Sequence, residues 1–217
     1  MRQIKNTIQN VANKLGYQIV RKSRGPHWSE RLQAEYSKRL ENLKIDKAHY
    51  GCGPILFGDG WVNIDYMHAP KDSTKLYLMA NLASKHPFPT NFFNYSFAED
   101  FIEPLDQAES IIFLYEAYRT LRPNGVLRMS VPGLRGALAR HYKSRDYEGV
   151  SEAQEEAYKS HGHKHFFCEE SLSIVGQHIG FSNILFVEYG KSNHKELCNL
   201  EYREDQKDCN FYVELTK

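Results

Sequence analysis

The chain has 217 residues, 41% of them hydrophobic and 13% aromatic, with a net charge of +1, which suits one α/β domain with a short appendage. No stretch approaches the roughly 18 consecutive apolar residues of a membrane span, and Met1–Val20 carries charges and amides where a secretory signal has an unbroken apolar core. Charge is unevenly spread, with 11 Lys and Arg against 4 Asp and Glu in residues 1–47, and 17 against 23 in the remainder.

That basic start could meet an anionic surface such as membrane lipid. No basic stripe with interleaved aromatics follows it, so a nucleic-acid partner is not expected. The four cysteines (Cys52, Cys168, Cys198, Cys209) form no CxxC pair and read as reduced thiols, which fits a cytoplasmic protein.

Ile4, Ile8, Val11 and Leu15 recur at helical spacing, with Gly16 where a C-cap would fall and Arg2, Lys5 and Lys14 elsewhere on the surface. Such a helix either covers an apolar patch of the main domain or makes a peripheral membrane contact. A second helix is predicted over about Ser29–Leu43, after the Arg24-Gly25-Pro26 break. Residues 1–46 thus read as a basic helical extension and 47–217 as the main domain.

From Lys47 short strand-like runs alternate with helical ones, the pattern of βαβ units and a mainly parallel sheet. Strands are predicted at Lys47–Tyr50, Trp61–Tyr66, Leu76–Ala80, Phe92–Ala98, Gly125–Val131, Asn183–Tyr189 and Asn210–Leu215. Helices are predicted at about Asp106–Leu121, Leu134–Ser144 and Glu169–Ile179, with Pro123-Asn124-Gly125 as the turn into the fifth strand. The polar stretch 190–209 has no helical pattern, so the last two strands should form a hairpin that adds an antiparallel strand to the sheet edge. The expected fold is a seven-stranded Rossmann-like sheet, mostly parallel, with helices on both faces.

Tyr50-Gly51-Cys52-Gly53-Pro54 follows the first strand directly. Glycines there let a ligand approach the backbone closely. Asp65 ends the second strand, where a carboxylate can accept hydrogen bonds from both hydroxyls of a ribose. There is no third glycine at the helix position and no GxxxxGK[ST], so a nucleoside without a phosphate chain fits better than a dinucleotide or a triphosphate. A tight turn with a loop-capping acid would leave the same residues.

His49-Tyr50-Gly51-Cys52-Gly53-Pro54 and Gly60-Trp61-Val62-Asn63-Ile64-Asp65 resemble the LNLGCGP…GWxNxD opening of a family of small class I S-adenosylmethionine-dependent methyltransferases. The segment His86–Tyr95 is similar to the family's LPFPDNSFDY. Glu116–Arg128 is similar to its E-x-x-R-x-L-K-P-G-G-x-L-R signature, followed by Val131-Pro132-Gly133-Leu134, and His163–Phe181 to its H-x-x-x-[FY]-x-x-E-x-L…GF block. The resemblance covers about residues 47–217.

It implies S-adenosylmethionine as cofactor and methyl transfer to O or N of a small molecule or glycan precursor. It also implies that Gly51, Cys52 and Gly53 line the cofactor's methionine part, that Asp65 binds the ribose, and that Asn81 and Leu82 flank the adenine. Glu99 would face the methionine end or the substrate, and residues 51–54, 65, 81–82 and 98–100 would surround one crevice. The chain departs from the pattern at Pro104 (a His in the family's Glu-His-Leu), His49 (Asn or Asp) and Asn124 (the first Gly of the PGG turn). Pro104 and His49 favour the alternative, a degenerate member of the fold acting as a binding partner or regulator.

His161, His163 and His165 alternate, so an extended segment would point all three imidazoles one way. With Cys168 nearby they could ligate zinc, but a second ligand cluster is lacking and no metal is expected. A histidine held by hydrogen bonds in a loop is the plainest reading. A general base beside the cofactor methyl is the functional one. His163 matches the family's histidine and is the first choice, with His165 second and Glu103 or Glu99 as substitutes.

Overall fold

The computed structural model describes residues 30–66 and 74–217. Helix α1 (Glu30–Asn42) precedes four strands: β1 (Lys47–Tyr50), β2 (Trp61–Asp65), β3 (Tyr77–Met79) and β4 (Phe93–Glu99). Then come α2 (Gln107–Thr120), β5 (Leu121–Pro132), α3 (Leu134–His141) and α4 (Tyr147–Gln154), which continues as one π-helical turn over Glu155–Lys159. Helix α5 (Glu169–Ile179), β6 (Asn183–Val187) and β7 (Asn210–Thr216) complete the chain. The helix read over Ile4–Leu15 lies outside the described residues. Among the described residues no helix is long and apolar enough to cross a membrane.

All seven strands join one sheet in the order β3-β2-β1-β4-β5-β7-β6. The first five run parallel, and β7 is antiparallel to both neighbours. The hairpin across 190–209 is therefore present, but its antiparallel strand lies inside the sheet and β6 forms the edge. The side chains account for that order. Val213 and Leu215 of β7 are fully buried, whereas Leu185 and Phe186 of β6 stay exposed.

The alternation of each strand divides its residues between two faces. Ala48, Tyr50, Val62, Ile64, Leu127 and Met129 point into the larger core, which receives Leu40 from α1, Phe113, Leu114 and Ala117 from α2, and Leu172 from α5. Trp61, Phe97 and Val126 point the other way and pack with Leu197, Phe57 and Leu200. Loop residues thus supply much of the cover on that second face.

Helix α2 starts at a capping box in which Asp106 accepts from the Glu109 N–H and Glu109 reaches back to the Asp106 N–H, a device typically worth about 1 kcal/mol. Strand β5 begins at Leu121, four residues before the expected start. The Pro-Asn-Gly turn is absorbed within it as a bulge, and the pairing jumps from Phe93 opposite Leu121 to Tyr95 opposite Val126. Asn124 takes the left-handed backbone there (φ 65°), a conformation asparagine tolerates.

Candidate functional site

The strands β1, β2, β3 and β4 end along one side of the sheet, where open α/β sheets bind ligands. A cavity of about 410 Å³ opens there, lined by Gly51, Gly53, Asp65, Asn81, Leu82 and Glu99 together with Asp100, Phe101, Tyr202 and Arg203. Gly51 and Gly53 turn the chain at positive φ (63° and 51°). A Cβ on Gly51 would run into the ring of Phe101, whereas one on Gly53 would meet nothing within 4 Å. The Gly53 N–H donates to Asp65 Oδ2 at 3.0 Å, so the glycine turn and the acid at the end of β2 hold each other.

Not every residue expected here reaches the cavity in the expected way. Cys52 is fully buried; its thiol donates to the Gly53 carbonyl at 3.6 Å, and burial pushes its pKa up to about 12. Cys52 is not among the residues that line the cavity, and its N–H is taken by the Ile64 carbonyl. Asn81 lines the cavity, but its side-chain oxygen already accepts the Ala83 N–H at 3.0 Å, so an adenine amine would share that oxygen. Leu82 is an apolar wall.

Glu99 is nearly fully buried and accepts the backbone N–H groups of Tyr202 (3.2 Å) and Arg203 (3.4 Å). It anchors the segment before β7, and burial raises its carboxyl to about 7. Asp100, at φ 47°, accepts from Arg203 Nη1 at 2.7 Å and Asn210 Nδ2 at 2.6 Å.

His49 lies away from this cavity. It points to the opposite face of β1, stacks on Phe57 with centroids 4.1 Å apart and meets Asn63 Oδ1 at 3.3 Å. Burial lowers its pKa to about 4. The departure from the family pattern at this position is therefore a packing change. Glu116 and Arg119 also stand clear of this cavity. Their ion pair (2.6 Å) binds the backbone of His86 and Phe88 and clamps that loop onto α2.

A second cavity of about 250 Å³ adjoins the first and shares Asp100, Pro104 and Arg203 with it. Glu103, Arg140, His141, His161 and His163 line it. Glu103 is 2% exposed, its Oε2 has no hydrogen-bond partner, and burial raises its carboxyl to about 8. Its Oε1 lies 3.8 Å from His163 Nε2. His163 Nδ1 is 3.0 Å from the Ala157 carbonyl. A carbonyl only accepts, so Nδ1 carries the proton and Nε2 keeps its lone pair toward Glu103. Burial holds the His163 pKa below its ordinary value, which favours the neutral ring.

His163 and Glu103 are thus brought together. His165 is not part of this cavity: its ring packs edge-on against Phe167 at 4.6 Å and its N–H donates to the Glu103 carbonyl at 3.2 Å. His161 and His163 meet across a turn at Gly162 (φ 68°). His161 takes the place at the wall instead, with its ring 5.6 Å from that of His163. Among the described residues no group of three or more His, Cys, Asp or Glu side chains is arranged to hold a metal ion. The four cysteines are unpaired.

Phe101, Tyr202, Arg203 and Arg140 were not legible as site residues. Phe101 follows two acids that end a strand, which is a usable hint. Tyr202 and Arg203 sit in a polar stretch with no periodicity.

The fold recurs in solved structures. An S-adenosylmethionine-dependent methyltransferase from Mesorhizobium loti superposes with a TM-score of 0.54 at 15% identity, over 83% of this chain and 96% of that one. One from Archaeoglobus fulgidus gives 0.52 at 12% identity, over 87% and 94%. One from Methanosarcina mazei gives 0.51 at 17% identity, over 82% and 96%. The chain has the class I methyltransferase fold. No protein-family model and no curated protein matches its sequence. In that fold, the Gly51 turn, the Asp65 strand end and the Glu99 strand end are the three points that face the crevice from β1, β2 and β4.

Proposed function

We propose that the chain is a cytoplasmic methyltransferase that takes its methyl group from S-adenosylmethionine and delivers it to an oxygen or nitrogen of a small molecule or glycan precursor. The observation that carries this reading is the adjacency of two cavities. One is built for a nucleoside, and the other holds a neutral histidine beside a buried carboxyl.

The first cavity fits the cofactor on its own chemistry. Asp65 is placed to accept from ribose hydroxyls, Leu82, Phe101 and Leu105 form apolar walls for a purine, and Gly53 leaves its Cβ position open. S-adenosylmethionine, when bound, supplies an electrophilic methyl on a sulfonium. The protein's task is to align the nucleophile and remove its proton. His163 suits the second role: its Nδ1–H is held by Ala157, so a proton leaving an acceptor hydroxyl goes to Nε2. Glu103, whose Oε1 lies 3.8 Å from Nε2, would hold the acceptor beside that nitrogen. Pro104, between the two cavities, is a wall and takes no part in proton transfer.

The test is transfer of tritium from S-adenosyl-[methyl-³H]methionine into a small-molecule extract, with the wild type and His163→Asn. Label appearing in an extractable product with the wild type, and falling at least ~100-fold with His163→Asn as expected for a lost general base, supports the reading. Cofactor binding without any transfer under these conditions favours a binding protein of the same fold.

A further inference from the structure

Among the groups lining the second cavity, the charges are matched with one exception. Asp100 is held by Arg203 at 2.7 Å and by Asn210. His141 lies 2.8 Å from Glu156. Glu103 stays protonated over most of the neutral range because it is buried. Arg140 differs: its Nη1 donates to the Gln206 side-chain oxygen at 2.7 Å and its Nη2 to the Asp205 carbonyl at 2.9 Å. Both partners are uncharged, and among the described residues Arg140 has no carboxylate partner. Two neutral acceptors fix the plane of the guanidinium, which lines the cavity half-buried and without a carboxylate partner.

The same space contains a polar atom without a partner. Glu103 Oε2 is buried and makes no hydrogen bond, on a side chain that faces the cavity. An unpaired buried polar atom is costly, and a turn of the carboxyl would offer it to a ligand hydroxyl or amine. A planar guanidinium held by its neighbours matches carboxylate and phosphate oxygens with two parallel N–H donors.

We infer that this cavity binds a small anionic acceptor, a carboxylate or a phosphate monoester that also carries a hydroxyl or amine, with Arg140 holding the charge and Glu103 the nucleophilic end. The word acceptor rests on the methyltransferase reading; the anion site itself rests on Arg140 and Glu103. The volume of about 250 Å³ suits a few carbons plus the charged group.

Three molecules with one skeleton test it: glycerate, glycerol 3-phosphate and glycerol, each titrated calorimetrically with and without saturating S-adenosylhomocysteine. At least one anion should bind ~10-fold or more tighter than glycerol. Arg140→Gln should weaken that anion ~10-fold or more while leaving S-adenosylhomocysteine affinity within about 2-fold, and Arg140→Lys should recover part of the loss. The anion that binds identifies the charged group. Glycerol binding as well as both anions, binding of neither anion, or an Arg140→Gln protein that binds like the wild type would overturn the inference. Arg140-dependent anion binding by a protein that fails to take S-adenosylhomocysteine would uphold the anion site and remove the methyltransferase reading.

Discussion

Arg128 on β5 is fully buried, and its Nη2 lies 2.6 Å from Oε1 of Glu201, a residue of the irregular stretch before β7. Its Nη1 reaches Glu214 at 2.9 Å, directly across the β5–β7 pair, and the Lys191 carbonyl at 2.8 Å. One guanidinium therefore ties the 188–201 segment to the sheet and sets where Tyr202 and Arg203 enter the first cavity.

Removing that guanidinium leaves two carboxylates buried without their cation. Arg128→Met should cost about 3–5 kcal/mol of stability, as breaking a buried ion pair does. Urea unfolding measures this. A loss below about 1 kcal/mol would mean the network contributes little to the fold.

The glycine turn makes a paired prediction. Gly51→Ala and Gly53→Ala both place a Cβ on left-handed backbone, at about 1–2 kcal/mol each. Only the Gly51 Cβ also displaces Phe101. Unfolding midpoints should fall further for Gly51→Ala, and S-adenosylhomocysteine affinity should fall with it. Equal midpoints would show that Phe101 yields freely.

Acid should destabilise the protein through two buried histidines. Burial lowers both His49 and His86 from 6.5 to about 4. The unfolded chain binds their protons first, so the stability these groups contribute is present above pH 6.5 and is lost as pH falls toward 4. Unfolding curves at pH 7.5 and 4.5 should show a drop that shrinks in His49→Phe and again in His49→Phe/His86→Gln. An unchanged drop in the double variant would assign acid sensitivity to other groups.

Glu103 has the opposite sign. Burial raises its carboxyl from 4.5 to about 8, so the fold holds the proton more tightly than the unfolded chain does. Its contribution is fully present below pH 4.5 and is lost as pH rises through 8. Glu103→Gln should therefore be more stable than the wild type at pH 9, relative to the comparison at pH 5. Thermal melts at the two pH values decide it, and parallel behaviour of the two proteins would contradict the burial argument.

The sheet was legible in the sequence because short strand-like runs alternate with helical ones from Lys47 on: β1 and α5 fall on the expected residues, and most other ends shift by one to three. The glycine turn and Asp65 were legible because backbone freedom and a strand-end acid are local properties. What escaped reading was non-local or small. In α4 and the turn after it, the buried positions are Ala153 and Ala157, which leave no apolar stripe, and Gly149 interrupts the pattern. The histidine cluster was found, but choosing among its members required tertiary contacts: His161 and His163 line the cavity, while His165 packs on Phe167. Arg128 was visible within a motif, yet its partners Glu201 and Glu214 lie more than seventy residues away, and only the hairpin brings them together.

Under the methyltransferase proposal, S-adenosylmethionine occupies the crevice lined by Gly51, Gly53, Asp65 and Leu82. Calorimetric titration of S-adenosylhomocysteine into the wild type and Asp65→Ala tests it most directly. Micromolar binding that Asp65→Ala weakens by ~10-fold or more, about 1.4 kcal/mol, is the expected result. A folded wild type that does not bind, or an Asp65→Ala protein that binds equally well, would contradict it.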